Sequence, residues 1–237
     1  NKEFKDGLLK QSPIFNRFCD KLDPDSTLHL IGLFSYGGVH SDASHLYTLL
    51  NELVARNIKR IAIHPILDGR DTDPTIAERD LSELVNFIAQ HPSLSIATIM
   101  GRFYAMDRDS RWERTKSAWQ AIYEATGNVA SDPVEYVKDL YRKGITDEFI
   151  PPGIVNHNPI APKDSVIFFN FRADRMRQLV AAMTVEDFEG FERQNHFLPQ
   201  SQTLSFTEYD HRFSLPYLFK AISVNNHLGQ VISNMGF

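Results

Sequence analysis

Cysteine is almost missing from this sequence: Cys19 stands alone among 237 residues. A single thiol excludes an intramolecular disulfide and fits a reducing, cytoplasmic setting. Long apolar runs are missing too. Nothing approaches the roughly 18 consecutive apolar residues that a membrane-crossing helix requires, so no membrane partner is expected. An excess of basic charge is likewise absent. Lys and Arg number 25 against 30 Asp and Glu, for a formal charge of −5, which argues against a chain that coats nucleic acid or an anionic membrane. The N-terminus, Asn1-Lys2-Glu3-Phe4, has no initiator Met and no apolar signal core. Together with the abrupt end at Asn234-Met235-Gly236-Phe237, this leads to the expectation of a piece of something longer. There is no solenoid repeat and no low-complexity tract. What remains is an ordinary globular composition, 42% hydrophobic and 23% charged, large enough to build a core.

One local grammar recurs along the chain: a short apolar strand, a polar loop, then an amphipathic helix. The first strand is expected at Leu28–Phe34, followed by a helix over 43–56 in which Leu46, Leu49, Leu50 and Leu53 share one face. The second strand, Arg60–Leu67, leads to a helix that Asp73 and Pro74 are placed to start. A third strand over Leu94–Met100 precedes a helix carrying Trp112 and Trp119, both read as core. The fourth spans Ser165–Phe171, with a helix through Met183. An extra helix over 133–143 has Asp132 and Pro133 at its start and Gly144 at its end. Residues 146–164 read as loop with short extended pieces, Thr203–Thr207 as a strand, and the residues after Leu228 as a short helix. Alternating strands and helices predict an α/β three-layer sandwich: a mainly parallel sheet with helices on both faces, in one domain over 1–237.

Ligands of open α/β sheets bind outside the carboxyl ends of the strands. The loops at those ends carry Gly37-Gly38-Val39-His40, Asp68-Gly69-Arg70-Asp71, Gly101-Arg102 through Arg108-Asp109, and Arg172-Ala173-Asp174-Arg175. Arg70, Arg102, Arg108, Arg172 and Arg175 therefore converge with His40 on one sheet edge of an acidic protein. Arginine is suited to two-pronged recognition of phosphate and carboxylate. A small, multiply charged anion such as a phosphorylated hydroxy acid would relieve the repulsion among them. Taken singly, Arg102 and Arg108 also fit surface pairs with Asp107 and Asp109, Asp71 fits the start of a turn, and His40 fits packing against the next helix.

A catalytic engine is not evident. The nine histidines form no HxH or HExxH pattern, and the Asp-rich stretches are interleaved with Arg, so no metal is expected on this chain. A phosphate-binding P-loop, a dinucleotide glycine fingerprint and a nucleophile elbow are all missing.

The runs Gly37-Gly38-Val39-His40-Ser41, Leu67-Asp68-Gly69-Arg70-Asp71-Thr72, Gly101-Arg102-Phe103-Tyr104-Ala105-Met106-Asp107-Arg108-Asp109 with Arg111-Trp112-Glu113-Arg114, and Phe168-Phe169-Asn170-Phe171-Arg172-Ala173-Asp174-Arg175, with Thr207-Glu208-Tyr209-Asp210, resemble the 2,3-bisphosphoglycerate-independent phosphoglycerate mutases. The resemblance covers the substrate-binding (phosphotransferase) domain of that family alone. It implies that an alkaline-phosphatase-like domain, with a serine nucleophile and two manganese ions, lies outside this chain. The full enzyme would be a monomeric, cytoplasmic isomerase of glycolysis and gluconeogenesis that interconverts 3-phosphoglycerate and 2-phosphoglycerate through a phosphoserine. The fragment alone would be inactive, with the catalytic domain of the same polypeptide as its partner and no nucleic acid.

By the same resemblance, substrate contact falls to His40, Arg70, Asp71, Arg102, Arg108, Arg172 and Arg175. His40 would hydrogen-bond phosphate or act as an auxiliary acid. Asp71 would handle a hydroxyl proton or orient the hydroxyls, although arginines nearby would weaken it as a base. Tyr36 departs from the family, which usually has Asp or a small residue there. The alternatives are a stand-alone module that senses a phosphometabolite and another phosphomutase of the alkaline-phosphatase superfamily.

Overall fold

The computed structural model describes residues 7–193 and 197–220. The expected helix after Leu228 lies outside the described residues.

Strands β1 (Leu28–Phe34) and β2 (Ile61–Leu67) are buried along their whole length and pair in parallel from Leu28 with Ile61 to Phe34 with Leu67. Such continuous apolar runs are what a strand covered on both faces requires. The third expected strand is split into β3 (Leu94–Ile96) and β4 (Thr98–Gly101). The break falls at Ala97, whose carbonyl accepts hydrogen bonds from Val155 and Asn156. Short β5 (Asn128–Val129) and β6 (Gly153–Ile154) extend that edge, and β6 is antiparallel to β4.

Strand β7 (Ser165–Phe168) pairs with β1 on its other side and stops three residues before the expected Phe171. There the Asn170 side chain accepts the Leu33 N–H at 2.8 Å, and the N–H groups of Phe171 and Arg172 turn to the His40 carbonyl. Strand β8 (Thr203–Thr207) matches expectation, while β9 (Tyr217–Phe219) was not foreseen. The sheet order is β5-β6-β4-β2-β1-β7-β8-β9, with β3 also on β2. The chain steps outward from β1 through β2 to β4, then returns to the far side of β1 as β7. This reversal opens a crevice between the carboxyl ends of β1 and β7.

Helices α1 (Pro13–Asp20), α2 (Ala43–Ala55), α3 (Ala77–Ile88) and α5 (Pro133–Arg142) cover one face, packing on Leu28, Leu30, Ile61 and Ile63. Helices α4 (Trp112–Tyr123) and α6 (Arg177–Thr184) cover the other, against Ile31, Leu33, Ile66 and Phe168. All four leucines of the α2 stripe are fully buried. Asp42 caps α2, and Asp132 caps α5 just before Pro133. Among the described residues no helix is long and apolar enough to cross a membrane.

Two expectations are corrected. Asp73 and Pro74 do not start a helix. The Asp73 carboxylate instead accepts from Thr75 in a turn, and α3 begins at Ala77. Its first N–H groups are capped from far away: the Asp147 carboxylate accepts from Ile76 and Ala77, both at 3.0 Å. Of the two tryptophans, Trp119 is core, whereas Trp112 is only partly buried, edge-on to Phe188.

Candidate functional site

Each of the four loops leaves the carboxyl end of its own strand, so the predicted arginines reach one edge. Arg102 opens the turn after β4 and is only 2% exposed. Its Nη1 donates to Asp68 at 2.5 Å and to Asp71 at 2.6 Å. Its Nε is buried and has no hydrogen-bond partner among the described residues. Asp68 also accepts from the Ser35 hydroxyl at 2.6 Å and from the N–H groups of Arg70 and Asp71. Burial would raise the Asp68 carboxyl, but the Ser35 hydroxyl, the Asp71 N–H and Arg102 outweigh it and hold the group below the usual carboxylate range.

Arg108 and Arg172 meet at Asp174, at 3.0 Å and 2.9 Å. His40 approaches the same carboxylate, with Nδ1 at 3.6 Å from Asp174 Oδ1. Both atoms are buried, and among the described residues neither has a hydrogen bond of good geometry, although Asp174 Oδ1 is ion-paired with Arg172 Nε. On its other side His40 Nε2 lies 3.9 Å from Asp71. Burial first, and the Arg102 charge second, push the His40 pKa down to about 4. The imidazole is therefore neutral at pH 7, with one N–H to donate and one nitrogen to accept. Asp174 sits below the usual carboxylate range: burial opposes this, but Arg172, His40 and Arg108 prevail.

Between the loops after β2, β4 and β7 lies a cleft of about 210 Å³. Arg70, Arg102, Arg108, Arg111, Arg114 and Arg175 line it against Asp107, Asp109 and Glu148, so cations are in excess. Arg175 differs from its neighbours. It donates to the Met106 carbonyl at 3.2 Å, a neutral partner, and no carboxylate pairs with it among the described residues. Burial and the nearby charges of Arg102, Arg108 and Arg70 hold its guanidinium below its ordinary value.

The structure thus brings together Arg70, Arg102, Arg108 and Arg175 in one cleft, with Asp71 behind Arg102. It places His40 and Arg172 beside them, around Asp174, rather than in the cleft wall. It also corrects the idea that the arginines stay mutually unshielded until an anion arrives. Arg102, Arg108, Arg172 and Arg70 each have a carboxylate, and only Arg175 keeps the deficit. Arg102 and Arg108 do not pair with Asp107 and Asp109. Those acids hold Arg111 instead, and Asp107 also faces Arg114.

Several participants were missed: Arg111, Arg114, the counter-ions Asp68 and Asp174, and Glu148. Arg114 lies over the Phe103 ring at 3.8 Å. Glu148, which lies in a stretch that read as loop, takes Arg70 from 78 residues away, where no spacing signal could link them. Tyr36 reaches Glu83 on α3 with its hydroxyl at 3.1 Å, tying the β1 loop to that helix rather than entering the cleft. Among the described residues no group of three or more His, Cys, Asp or Glu could hold a metal ion.

Comparison with known proteins points the same way. Residues 1–211 match the family model described as the N-terminus of BPG-independent PGAM. A 2,3-bisphosphoglycerate-independent phosphoglycerate mutase of Methanosarcina acetivorans is 43% identical over 219 residues, which is 90% of this chain and 42% of that protein. The enzyme of the same name from Trichodesmium erythraeum is 43% identical over 236 residues, 98% of this chain and 43% of that protein. A crystal structure of Leishmania mexicana phosphoglycerate mutase, determined at low cobalt concentration, superposes with a TM-score of 0.87 at 26% identity. It matches 99% of this chain and 46% of the other. The chain therefore spans less than half the length of these relatives.

Proposed function

The chain belongs to the family of BPG-independent phosphoglycerate mutase N-termini, and on that premise we propose that it is the substrate-gripping domain of an enzyme interconverting 3-phosphoglycerate and 2-phosphoglycerate. The observation that carries this reading is Arg175, a partly buried guanidinium with a neutral partner, in a cleft where arginines outnumber carboxylates. A phosphate or carboxylate oxygen supplies the missing charge. The volume, about 210 Å³, suits a three-carbon acid phosphate and is small for a nucleotide.

The chemistry divides between two domains. In the catalytic domain outside this chain, two manganese ions and a serine would take and return the phosphoryl group. This domain's residues would bind and orient. Arg70, Arg102, Arg108, Arg172 and Arg175 hold the charged ends of the glycerate. Neutral His40 donates its N–H to a phosphate oxygen, which favours the hydrogen-bonding role over that of an auxiliary acid. Asp71 spends one oxygen on Arg102, so it is better suited to orienting a glycerate hydroxyl than to removing its proton. Held in this way, the glycerate stays in place while the phosphoryl group is on serine. The lone thiol of Cys19 fits a cytoplasmic enzyme, and we take the full protein to be a monomer.

The test uses the full-length protein, assayed without 2,3-bisphosphoglycerate. It interconverts the two phosphoglycerates, and Arg175→Ala raises KM by about tenfold, the worth of one charge-assisted pair. This chain alone shows no turnover, and its binding of 3-phosphoglycerate weakens as salt is raised. Turnover by the chain alone, or an unchanged KM in R175A, would overturn the reading.

A further inference from the structure

We propose that Glu148 is a positioning residue that aims Arg70 into the anion cleft, an inference that rests on the function proposed above. Arg70 leaves the β2 loop with nearly half its side chain exposed. Such a side chain would otherwise spread over many rotamers, each of which must be given up when an anion binds. Instead, Glu148 engages both Nε and Nη2 in a two-pronged pair, the planar geometry that fixes a guanidinium best. Nη1 has no protein partner among the described residues and remains available to a ligand.

What makes Glu148 a fixed point is its backbone. The turn Asp147–Phe149 is wedged between the β2 and β4 loops. Gly69 has φ of +63°, and a Cβ there would lie 2.8 Å from the Glu148 nitrogen. A Cβ on Gly101 would overlap the Glu148 carbonyl oxygen. The two loops thus close on the turn as tightly as glycine allows. Hydrogen bonds pin both ends: Asp147 N–H to the Pro74 carbonyl at 2.9 Å, and Gly101 N–H to the Ile150 carbonyl at 2.8 Å. The Asp147 side chain anchors the turn further, through the α3 cap and the Tyr141 hydroxyl. Glu148 is only 8% exposed. Its backbone is therefore fixed and its side chain closely packed, so the pair orders Arg70 at a lower cost than when both partners start free. An ordinary surface ion pair has neither end fixed and contributes little.

A Glu148 that acts through Arg70 makes a distinct prediction. In the full-length enzyme, Glu148→Gln raises KM for 3-phosphoglycerate roughly tenfold and changes kcat by less than about twofold. Glu148→Asp, which keeps the charge, recovers part of the loss. In an Arg70→Ala background, Glu148→Gln adds no further change in KM, because the residue it positions is gone. The same KM penalty in both backgrounds would overturn the proposal in favour of a general structural role. A lowered KM in Glu148→Gln would overturn it in the other direction, making Glu148 a competitor of the anion. If Arg70→Ala alone left KM unchanged while R175A raised it, the cleft reading would survive and this inference would not.

Discussion

Replacing Arg102 by alanine lowers the unfolding free energy of this chain by about 3–5 kcal/mol. The size reflects the groups that the guanidinium leaves behind. Asp68 is 3% exposed and ionised, with Arg102 at 2.5 Å as its one cationic partner among the described residues. Its other donors, the Ser35 hydroxyl and the N–H groups of Arg70 and Asp71, are neutral. Without Arg102, a buried carboxylate must either stay charged in a poorly solvating site or take up a proton. Asp71, partly exposed, can turn to water and loses less. Total stabilities of 5–15 kcal/mol are usual, so this one change removes a large share. Arg102→Lys is expected to lose about half as much, since one ammonium replaces a planar group between two carboxylates. Urea unfolding at pH 7 measures both variants. A loss below about 1 kcal/mol in R102A would mean that the pair behaves as a solvated surface bridge.

Arg102 also marks the limit of what sequence reading can find. Its arrival at the site was legible because the expected strand Leu94–Met100 ends two residues before it, and the residues just after a strand sit at its carboxyl end. The same logic placed Arg70, Arg108, Arg172 and Arg175. The counter-ions were not legible. Asp68 and Asp174 stood inside the quoted runs, but a carboxylate beside arginines in sequence looks the same whether it pairs with them or points to water. Asp147 and Glu148 sit in a stretch whose proline and asparagine content read correctly as loop. Its function comes from where the fold presses it, between Gly69 and Gly101. At Asp73-Pro74 local signals misled for a clear reason. Asp73-Pro74 has the form of a helix start, but Asp147 supplies the cap from elsewhere and moves the start to Ala77. A distant carboxylate that satisfies the N–H groups of Ile76 and Ala77 removes the need for a local one.

Protonation exposes two opposing devices in the same structure, and their signs can be tested separately. His40 is 3% exposed, and its pKa falls from 6.5 to about 4, by burial first and Arg102 second. The unfolded chain takes up that proton below about pH 6.5, and the folded chain does not. The contribution is therefore intact above pH 6.5 and is lost as pH falls toward 4, on the order of 3 kcal/mol in all. His45 and His64 are lowered by burial too and act in the same direction. Asp147 runs the other way. Burial raises it from 3.8 to about 6 despite the Tyr141 hydroxyl and the N–H groups of Ala77 and Ile76. The folded chain binds this proton first as the medium is acidified, so Asp147 favours the fold at low pH and loses that contribution as pH rises through 6. Its span is also on the order of 3 kcal/mol. In the wild type the two oppose each other between pH 6.5 and 4; Asp80, also raised by burial, acts with Asp147, and His45 and His64 act with His40. Single variants remove the opposition. Asp147→Asn, which keeps an acceptor for α3, makes the chain steeply more acid-labile than wild type. His40→Gln makes it less so. Urea unfolding at about pH 7 and pH 4.5 gives each slope, and parallel pH profiles for all three proteins would sink the assignment. At neutral pH His40, beside the cleft, is uncharged and adds no further cation to the arginines that line it.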